Sequence, residues 1–386
     1  MNTSLSPLSY RERCCLYFLQ GTELIGNATI RRLYDAFGSY EAIYEADSNV
    51  LKAYLTDDML ERFNKDRTRK DIVLDFEKLR CKNIKYIHFD DKAYPEKLRH
   101  IPNPPIALLV NGNLPVSNIP SVAIIGARRC SGYGSYMARE YATAIASKGI
   151  QIISGMAAGI DGIAGSSALS GGFPSYAVLG CGPDICYPKS NEILFDKLKN
   201  NGGIISEYCL GTPGIAWHFP MRNRIISGLS DAVLVIEAKE KSGTLITVDA
   251  ALEQGRDIYA LPGRTCDELS YGCNNLIKQG AGVLLTPEDF LEEFTSNLSL
   301  RGEYSSFTAS KQVTKSKNGK KIIFSSPEEK IVYDALDVNP KSMAEIVNSI
   351  NVSIPMPLPI VLQRLTNLCM EGYAENISGT NYRLKC

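Results

Sequence analysis

The amino-acid sequence predicts an α/β protein built on a doubly wound, mostly parallel sheet. Three observations carry this reading. Seven short apolar or β-branched runs recur through the middle of the chain, each about as long as a fully buried strand. Helix-like segments lie between most of them, several ending at a glycine such as Gly149 or Gly255. Glycine and polar residues follow the strands one after another. Strand–helix alternation of this kind joins parallel strands by crossover helices.

The elements follow in chain order. Residues 1–85 are rich in Leu, Tyr, Arg and Asp with few strand-like runs, and predict a helical domain. Residues 86–295 hold the expected strands at 122–125, 150–153, 176–179, 203–205, 232–236, 258–261 and 283–285, with helices at 136–148, 191–199 and 244–254. Residues 296–324 carry Arg301 and five lysines against the single acid Glu303, among Ser, Thr and Asn, and read as a linker. Residues 325–386 form a small domain. Ser326-Pro327-Glu328-Glu329 opens its first helix, with proline at the first helical position and acids in the first turn. Ser342 and Glu345 make a capping box for the second. A third spans 358–370, and residues 373–384 form a hairpin turning at Ser378-Gly379-Thr380.

Composition bounds the function. Hydrophobic residues are 44% and charged residues 22%, an ordinary globular balance over 386 residues. Lys plus Arg and Asp plus Glu are each 42, so the formal charge is zero and any polyanion site must come from local concentration of bases. The first ten residues lack a basic stretch followed by an apolar run, and no apolar run approaches the roughly 20 residues that cross a bilayer. The expected location is the cytoplasm. Eleven scattered cysteines read as free thiols there. They lack zinc spacing, and with three histidines no metal site is expected.

In an open parallel sheet ligands bind outside the carboxyl ends of the strands. The loops there hold Gly126 and Arg128, with Arg129 beside them; Ser154 and Gly155; Lys189 and Asn191; Arg222, Asn223 and Arg224; Ser242, Gly243 and Thr244; and Lys278 nearer the chain's return. Arg and Lys neutralise phosphates, and backbone N–H groups at a helix start add fixed positive charge. Such loops side by side make a polyanion groove. Tyr187, Phe219, Trp217 and Tyr271 lie near enough to stack on unpaired bases, although core packing is the expected role of Phe219 and Trp217. Of Arg222 and Arg224, one is expected to meet the ligand and the other to brace an acid such as Glu207 or Glu237. Asp161 and Asp184 also lie near strand ends, where carboxylates cap helices or hold arginines. Neither Ser154 nor Ser242 has a companion histidine, so no catalytic residue is assigned. The spacing Gly126, Gly132, Gly134 is not a dinucleotide fingerprint, and no Gly-x-x-x-x-Gly-Lys-Ser/Thr loop is present, so no nucleotide cofactor is expected.

The motifs SVAIIGARRCSGYG, ISGMAAGID, YPKSN, FPMRNRIIS, SGTLIT and GCNNLIKQGA occur in this order between about residues 94 and 285. Together they resemble the DNA-processing protein A (DprA/Smf) family. The resemblance implies an extended Rossmann-like domain that binds single-stranded DNA, protects incoming DNA and loads the RecA recombinase in natural transformation. It implies no enzymatic activity and no cofactor. The expected partners are single-stranded DNA, RecA and a second copy of the chain as a homodimer, with no membrane.

By the same resemblance Arg128 matches the family's Gly-x-Arg arginine. Lys189 matches a basic position after Tyr-Pro, residues 222–224 its Arg-Asn-Arg motif, and Ser154-Gly155 its Ser-Gly turn. The sequence departs where the family commonly has Ala-His after Gly-Ile-Asp: here Ala164 is followed by Gly165. Residues 16–39 look like a degenerate helix-hairpin-helix or SAM-like segment that keeps Gly26 but has Leu24 at the first glycine position. The tail resembles a winged helix. With five bases against seven acids, it suits protein contact better than duplex reading. A competing reading comes from Ser242-Gly243-Thr244, which resembles nucleotide-hydrolysing enzymes of the lysine-decarboxylase-like group, although the acid expected soon after is missing.

Overall fold

A computed structural model of the chain describes residues 8–302, 324, 326–337, 340–351, 356–377 and 379–384. The chain divides into two compact units, residues 1–129 with 141–307 and residues 130–140 with 308–386.

The first unit opens with six helices: α1 (Tyr10–Gln20), α2 (Asn27–Phe37), α3 (Tyr40–Glu45), α4 (Ser48–Leu51), α5 (Asp57–Arg69) and α6 (Ile72–Cys81). Ser9, Ser39, Asp47, Thr56 and Asp71 each accept a backbone N–H at a helix start, which satisfies donors that the first turn leaves without partners. Leu16, Leu19, Ile30, Leu33, Ile43 and Phe63 form their core, closed by Ile106 and Ala107. Between α1 and α2, Leu24 holds φ at 71°, a left-handed backbone that favours glycine. The hairpin thus keeps its glycine-type turn with leucine in place.

Strands β1 (Ile84–His88) and β2 (Ala107–Gly112), with the short α7 (Glu96–Arg99) between them, begin the sheet. The strands expected from sequence follow: β3 (Ser121–Ile125), β4 (Gln151–Ser154), β5 (Ser175–Leu179), β6 (Gly202–Ser206), β7 (Ala232–Val235), β8 (Asp257–Ala260) and β9 (Gly282–Val283). They alternate with α8 (Gly132–Ser147), α9 (Ile160–Ser170), α10 (Glu192–Asn200), α11 (His218–Gly228), α12 (Gly243–Glu253), α13 (Tyr271–Lys278) and α14 (Pro287–Leu300). The sheet order is β1-β2-β6-β5-β4-β3-β7-β8-β9. Strands β3 to β9 pair in parallel, and β1 and β2 extend the β6 edge in antiparallel fashion. All residues of β3 through β7 are buried, as a sheet covered on both faces requires. Helix α14 runs to Leu300, inside the stretch read as linker; residues 303–323 of that stretch lie outside the described residues.

This order contains one reversal. From β3 the chain winds outward through β4, β5 and β6, then returns to place β7 on the other side of β3 and winds the opposite way. The loops leaving β3 and β7 therefore part to opposite faces, and a crevice opens between them at the carboxyl edge.

The second unit holds α15 (Pro327–Ala335), β10 (Lys341–Ser342), α16 (Met343–Asn351), α17 (Leu358–Met370), β11 (Ala374–Asn376) and β12 (Asn381–Leu384). The strands form an antiparallel sheet in the order β10-β12-β11, over a core that includes Val332, Ile346, Val361, Leu365 and Leu368. Ser326 caps α15, and Ser342 and Glu345 exchange hydrogen bonds of 2.7 and 3.3 Å at the start of α16. Of the expected turn, Ser378 lies outside the described residues. Every described cysteine is a free thiol. Among the described residues no helix is long and apolar enough to cross a membrane, and no three His, Cys, Asp or Glu side chains are grouped to hold a metal ion.

Candidate nucleic-acid interface

The crevice at the strand reversal is a cleft of about 420 Å³. One wall is the β3 loop, Gly126 to Arg129; the facing wall runs from Lys239 to Thr247; Phe219, Pro220, Arg222 and Asn223 of α11 close the end. Five cationic side chains line it, Arg128, Arg129, Arg222, Lys239 and Lys241, against one carboxylate, Asp161. Arg128, Arg129, Lys239 and Lys241 are exposed. Lys239 pairs with Glu268 at 2.7 Å, half-exposed on both sides. The N-terminus of the eleven-residue α12 opens into the same space. Ser242 caps it by accepting the Thr244 N–H at 3.2 Å, and the Thr244 hydroxyl donates to the Gly126 carbonyl at 3.2 Å, tying the two walls together. Cationic side chains and unpaired N–H groups facing one cavity form an anion site.

Behind the cleft lies a buried polar floor. Arg222 is 4% exposed. Its Nη1 donates to the carbonyl oxygens of Gly155, at 2.8 Å, and Val178, and its Nε to Asn223 Oδ1 at 3.2 Å. It thereby clasps the ends of β4 and β5. Burial lowers its pKa to about 10, with Asp161 opposing, so it stays charged at neutral pH. Asp161 accepts the Gly155 N–H at 2.8 Å. Burial raises its pKa, while Arg222 and the backbone N–H groups of Gly155 and Gly126 pull the other way. Ser154 Oγ donates to the Asp161 carbonyl at 3.1 Å and accepts the Met156 N–H at 3.3 Å. Met156 is fully buried with φ at 53°, a strained conformation for an unbranched side chain. Asn191 Nδ2 holds that turn by donating to the carbonyls of Met156 and Ala157 at 3.0 and 3.1 Å.

Six of the twelve residues singled out from sequence line the cleft: Gly126, Arg128, Arg222, Asn223, Ser242 and Thr244. Ser154, Gly155 and Asn191 lie beneath it, their polar groups spent on the protein. Arg224 turns away and forms a two-pronged pair with Glu207 at 2.8 and 3.0 Å, also donating to the Asn103 carbonyl. The expected brace is therefore Arg224, while Arg222, which lines the floor of the cleft, also donates to protein carbonyls. Lys189 is exposed on a 3-10 turn, Lys189–Asn191, and Lys278 in the last turn of α13; neither lines the cleft. Lys239 and Lys241 escaped sequence reasoning, although the run Lys239-Glu240-Lys241 directly before a capping serine was a usable signal. The aromatics divide. Phe219 is half-buried between Tyr187, at 5.3 Å, and the Arg128 guanidinium, 5.3 Å from its centroid. Trp217 is not core: it is 64% exposed.

Comparison with known proteins bears on this site. The family model described as DNA recombination-mediator protein A matches residues 85–295, more than half of the chain and all of the parallel sheet. The chain belongs to that family. Among the family's curated members it is 42% identical over 204 residues to DNA processing protein DprA of Streptococcus pneumoniae, covering 53% of this chain and 72% of the relative. It is 42% identical over 217 residues to Protein Smf of Escherichia coli, covering 56% and 58%. Among solved structures, the S. pneumoniae DprA crystal structure superposes with a TM-score of 0.64 at 33% identity, over 75% of this chain and 99% of that one. A Helicobacter pylori DNA processing protein A, described by its single-stranded DNA binding mode, superposes with a TM-score of 0.51 at 29% identity, over 55% and 97%. At the position where the resemblance implies histidine, Gly165 sits in α9, and a Cβ there would face Ser175 and Leu194 in the interior. Gly165 is not among the residues that line the cleft.

Proposed function

We propose that the cleft binds the phosphates of single-stranded DNA, and that the protein protects incoming strands and loads the RecA recombinase on them in natural transformation. One observation carries the binding part: cationic side chains from two walls meet a helix N-terminus at the reversal of the sheet. The single-stranded DNA binding named for the H. pylori relative supports it. RecA loading and a homodimeric state are part of this proposal, supported by membership of a family described as recombination mediators. For residues 325–386 we propose a winged helix used for protein contact. The exposed side chains of α17 include Leu358, Leu362 and Met370, and its one base, Arg364, lies 4.0 Å from Glu328.

The test is a salt titration of binding to single-stranded and duplex DNA of equal length, repeated with Arg128→Ala and Lys241→Ala. The log–log slope should be steep, with each contacted phosphate contributing about −0.7. Each substitution should make it shallower by about that amount. Parent-like affinity in both variants, or a preference for duplex, would place the DNA elsewhere. The rate of RecA filament nucleation with and without the protein tests the loading step.

A further inference from the structure

Trp217 is the single tryptophan of the chain and stands 64% exposed in the residue before α11. It is not a loose surface side chain. Its indole packs edge-on against the His218 imidazole, centroids 4.2 Å apart at 68°. His218 in turn stacks on Tyr208 at 3.9 Å and 29°. The imidazole is buried, with Nδ1 3.2 Å from the carbonyl oxygens of both Gly180 and Pro213, so it donates its proton inward. Burial lowers its pKa, which keeps the platform neutral near pH 7. Ile215 and Met221 are also exposed beside the indole in sequence.

Trp217 lies in the chain segment that closes the cationic cleft. Ala216 on one side of it, and Phe219 and Pro220 on the other, line the cleft wall. Phe219 is already engaged by Tyr187 and Arg128, while most of the Trp217 ring meets solvent. A cationic cleft alone attracts any polyanion. Discrimination requires a group that gains only from an unpaired base, and an aromatic ring at the cleft's rim supplies it without reading sequence.

We propose that Trp217 is a base-stacking residue: a nucleobase whose strand lies in the cleft rests on the indole, so that the site retains unpaired strands over duplex. This rests on the cleft being the phosphate site, and the experiment separates the two. The lone tryptophan is its own probe. Full-length protein is titrated with oligo(dT) and with an equally long abasic strand, following both indole emission and, independently, the anisotropy of a labelled strand.

Oligo(dT) should quench the emission and the abasic strand should not. Trp217→Ala should weaken oligo(dT) binding between about 5-fold and about 150-fold, the range for one stacked base. It should leave the abasic strand's affinity unchanged, and Trp217→Phe should restore most of the loss. Equal quenching by both strands, or parent-like oligo(dT) affinity in Trp217→Ala, overturns the stacking role. Arg128→Ala reports on the cleft instead. It should weaken both strands alike, and an unchanged abasic affinity would sink the phosphate reading whatever the emission does.

Discussion

Replacing Gly155 by alanine separates a structural glycine from a DNA-contacting one. A Cβ built on Gly155 would lie 2.6 Å from Arg222 Nη2, 2.8 Å from its Cζ and 2.7 Å from Asp161 Oδ2. Real Cβ atoms do not approach so closely, so the guanidinium or the carboxylate must move. Neither is a free chain end: Arg222 is fixed by the Gly155 and Val178 carbonyls, and Asp161 by the Gly155 N–H. Overpacking costs roughly 1–3 kcal/mol. Losing one hydrogen bond from a charged donor costs about 1.5–3 kcal/mol more. The sum, ~2.5–6 kcal/mol, is a large part of the roughly 5–15 kcal/mol that holds a domain folded. Gly165→Ala is the control: its Cβ would meet Ser175 Oγ at 3.5 Å and Leu194 at 3.6 Å, ordinary contacts. Inside a helix that change should stabilise by about 0.5–1 kcal/mol. Urea unfolding followed by circular dichroism reads both as midpoint shifts at constant slope. If Gly155→Ala unfolds at the parent's midpoint and loses only DNA affinity, Gly155 is a ligand contact and its place beneath the cleft has been misjudged.

Two further outcomes follow from the buried polar pairs. Glu207 and Arg224 have side chains only 11% exposed each, so either alanine substitution should cost about 3–5 kcal/mol. The double-mutant cycle should then return a coupling energy of roughly 0.5–3 kcal/mol; additive losses would mean the pair is not formed in solution. Burial lowers the pKa of both His88 and His218. The unfolded chain then binds more protons than the folded one just below their ordinary value of about 6.5, so stability is full above it and falls as pH drops through the lowered values. The urea midpoint should decrease on going from pH 7 toward pH 5. His218→Asn keeps a donor toward Gly180 and Pro213 but cannot titrate, and should flatten that decrease; an unaltered profile would refute the assignment for His218.

Most of the sheet was legible because buried parallel strands write themselves as uninterrupted apolar runs, and all seven such runs are strands within a residue or two. Strand β2 carried the same signal in Ala107–Val110, a fully buried apolar run, and escaped sequence reasoning; β1 was missed for a physical reason. Ile84–His88 is not an uninterrupted apolar run: Lys85 is exposed and Tyr86 half-buried between Ile84 and the buried pair Ile87-His88, so it reads locally like the helices before it. Only its pairing with β2, twenty residues on, makes it a strand. The Leu24 turn is the opposite case. Nothing in the residue type announces a left-handed backbone; only the likeness to a hairpin with glycine at that position pointed to it.

The site was legible to the level of which loops, and illegible to the level of which atoms. Strand ends are readable from sequence, so the loops of Gly126, Arg222 and Ser242 were placed together correctly at the carboxyl edge. An arginine, however, offers the same donors to a phosphate as to a carbonyl. At the carboxyl edge of a parallel sheet unpaired carbonyl oxygens are plentiful, and Arg222 takes those of Gly155 and Val178, while Arg224 takes a carboxylate. Lys241 has no such competition from buried carbonyls, since the stretch between β7 and α12 is exposed there, and Lys239 is held by the exposed Glu268. The bases free to meet a mobile polyanion are therefore those in loops that climb away from the strand ends. Those at the strand ends are spent holding the loops in place. On that reasoning Arg222→Ala should lower the urea midpoint by at least as much as Gly155→Ala, since it leaves two buried carbonyls without their donor and Asp161 without the opposite charge beside it. Lys241→Ala should leave the midpoint within about 0.5 kcal/mol of the parent, as an exposed substitution does, and lose DNA affinity alone. The reverse pattern would show that the ligand sits on the floor of the cleft rather than at its rim.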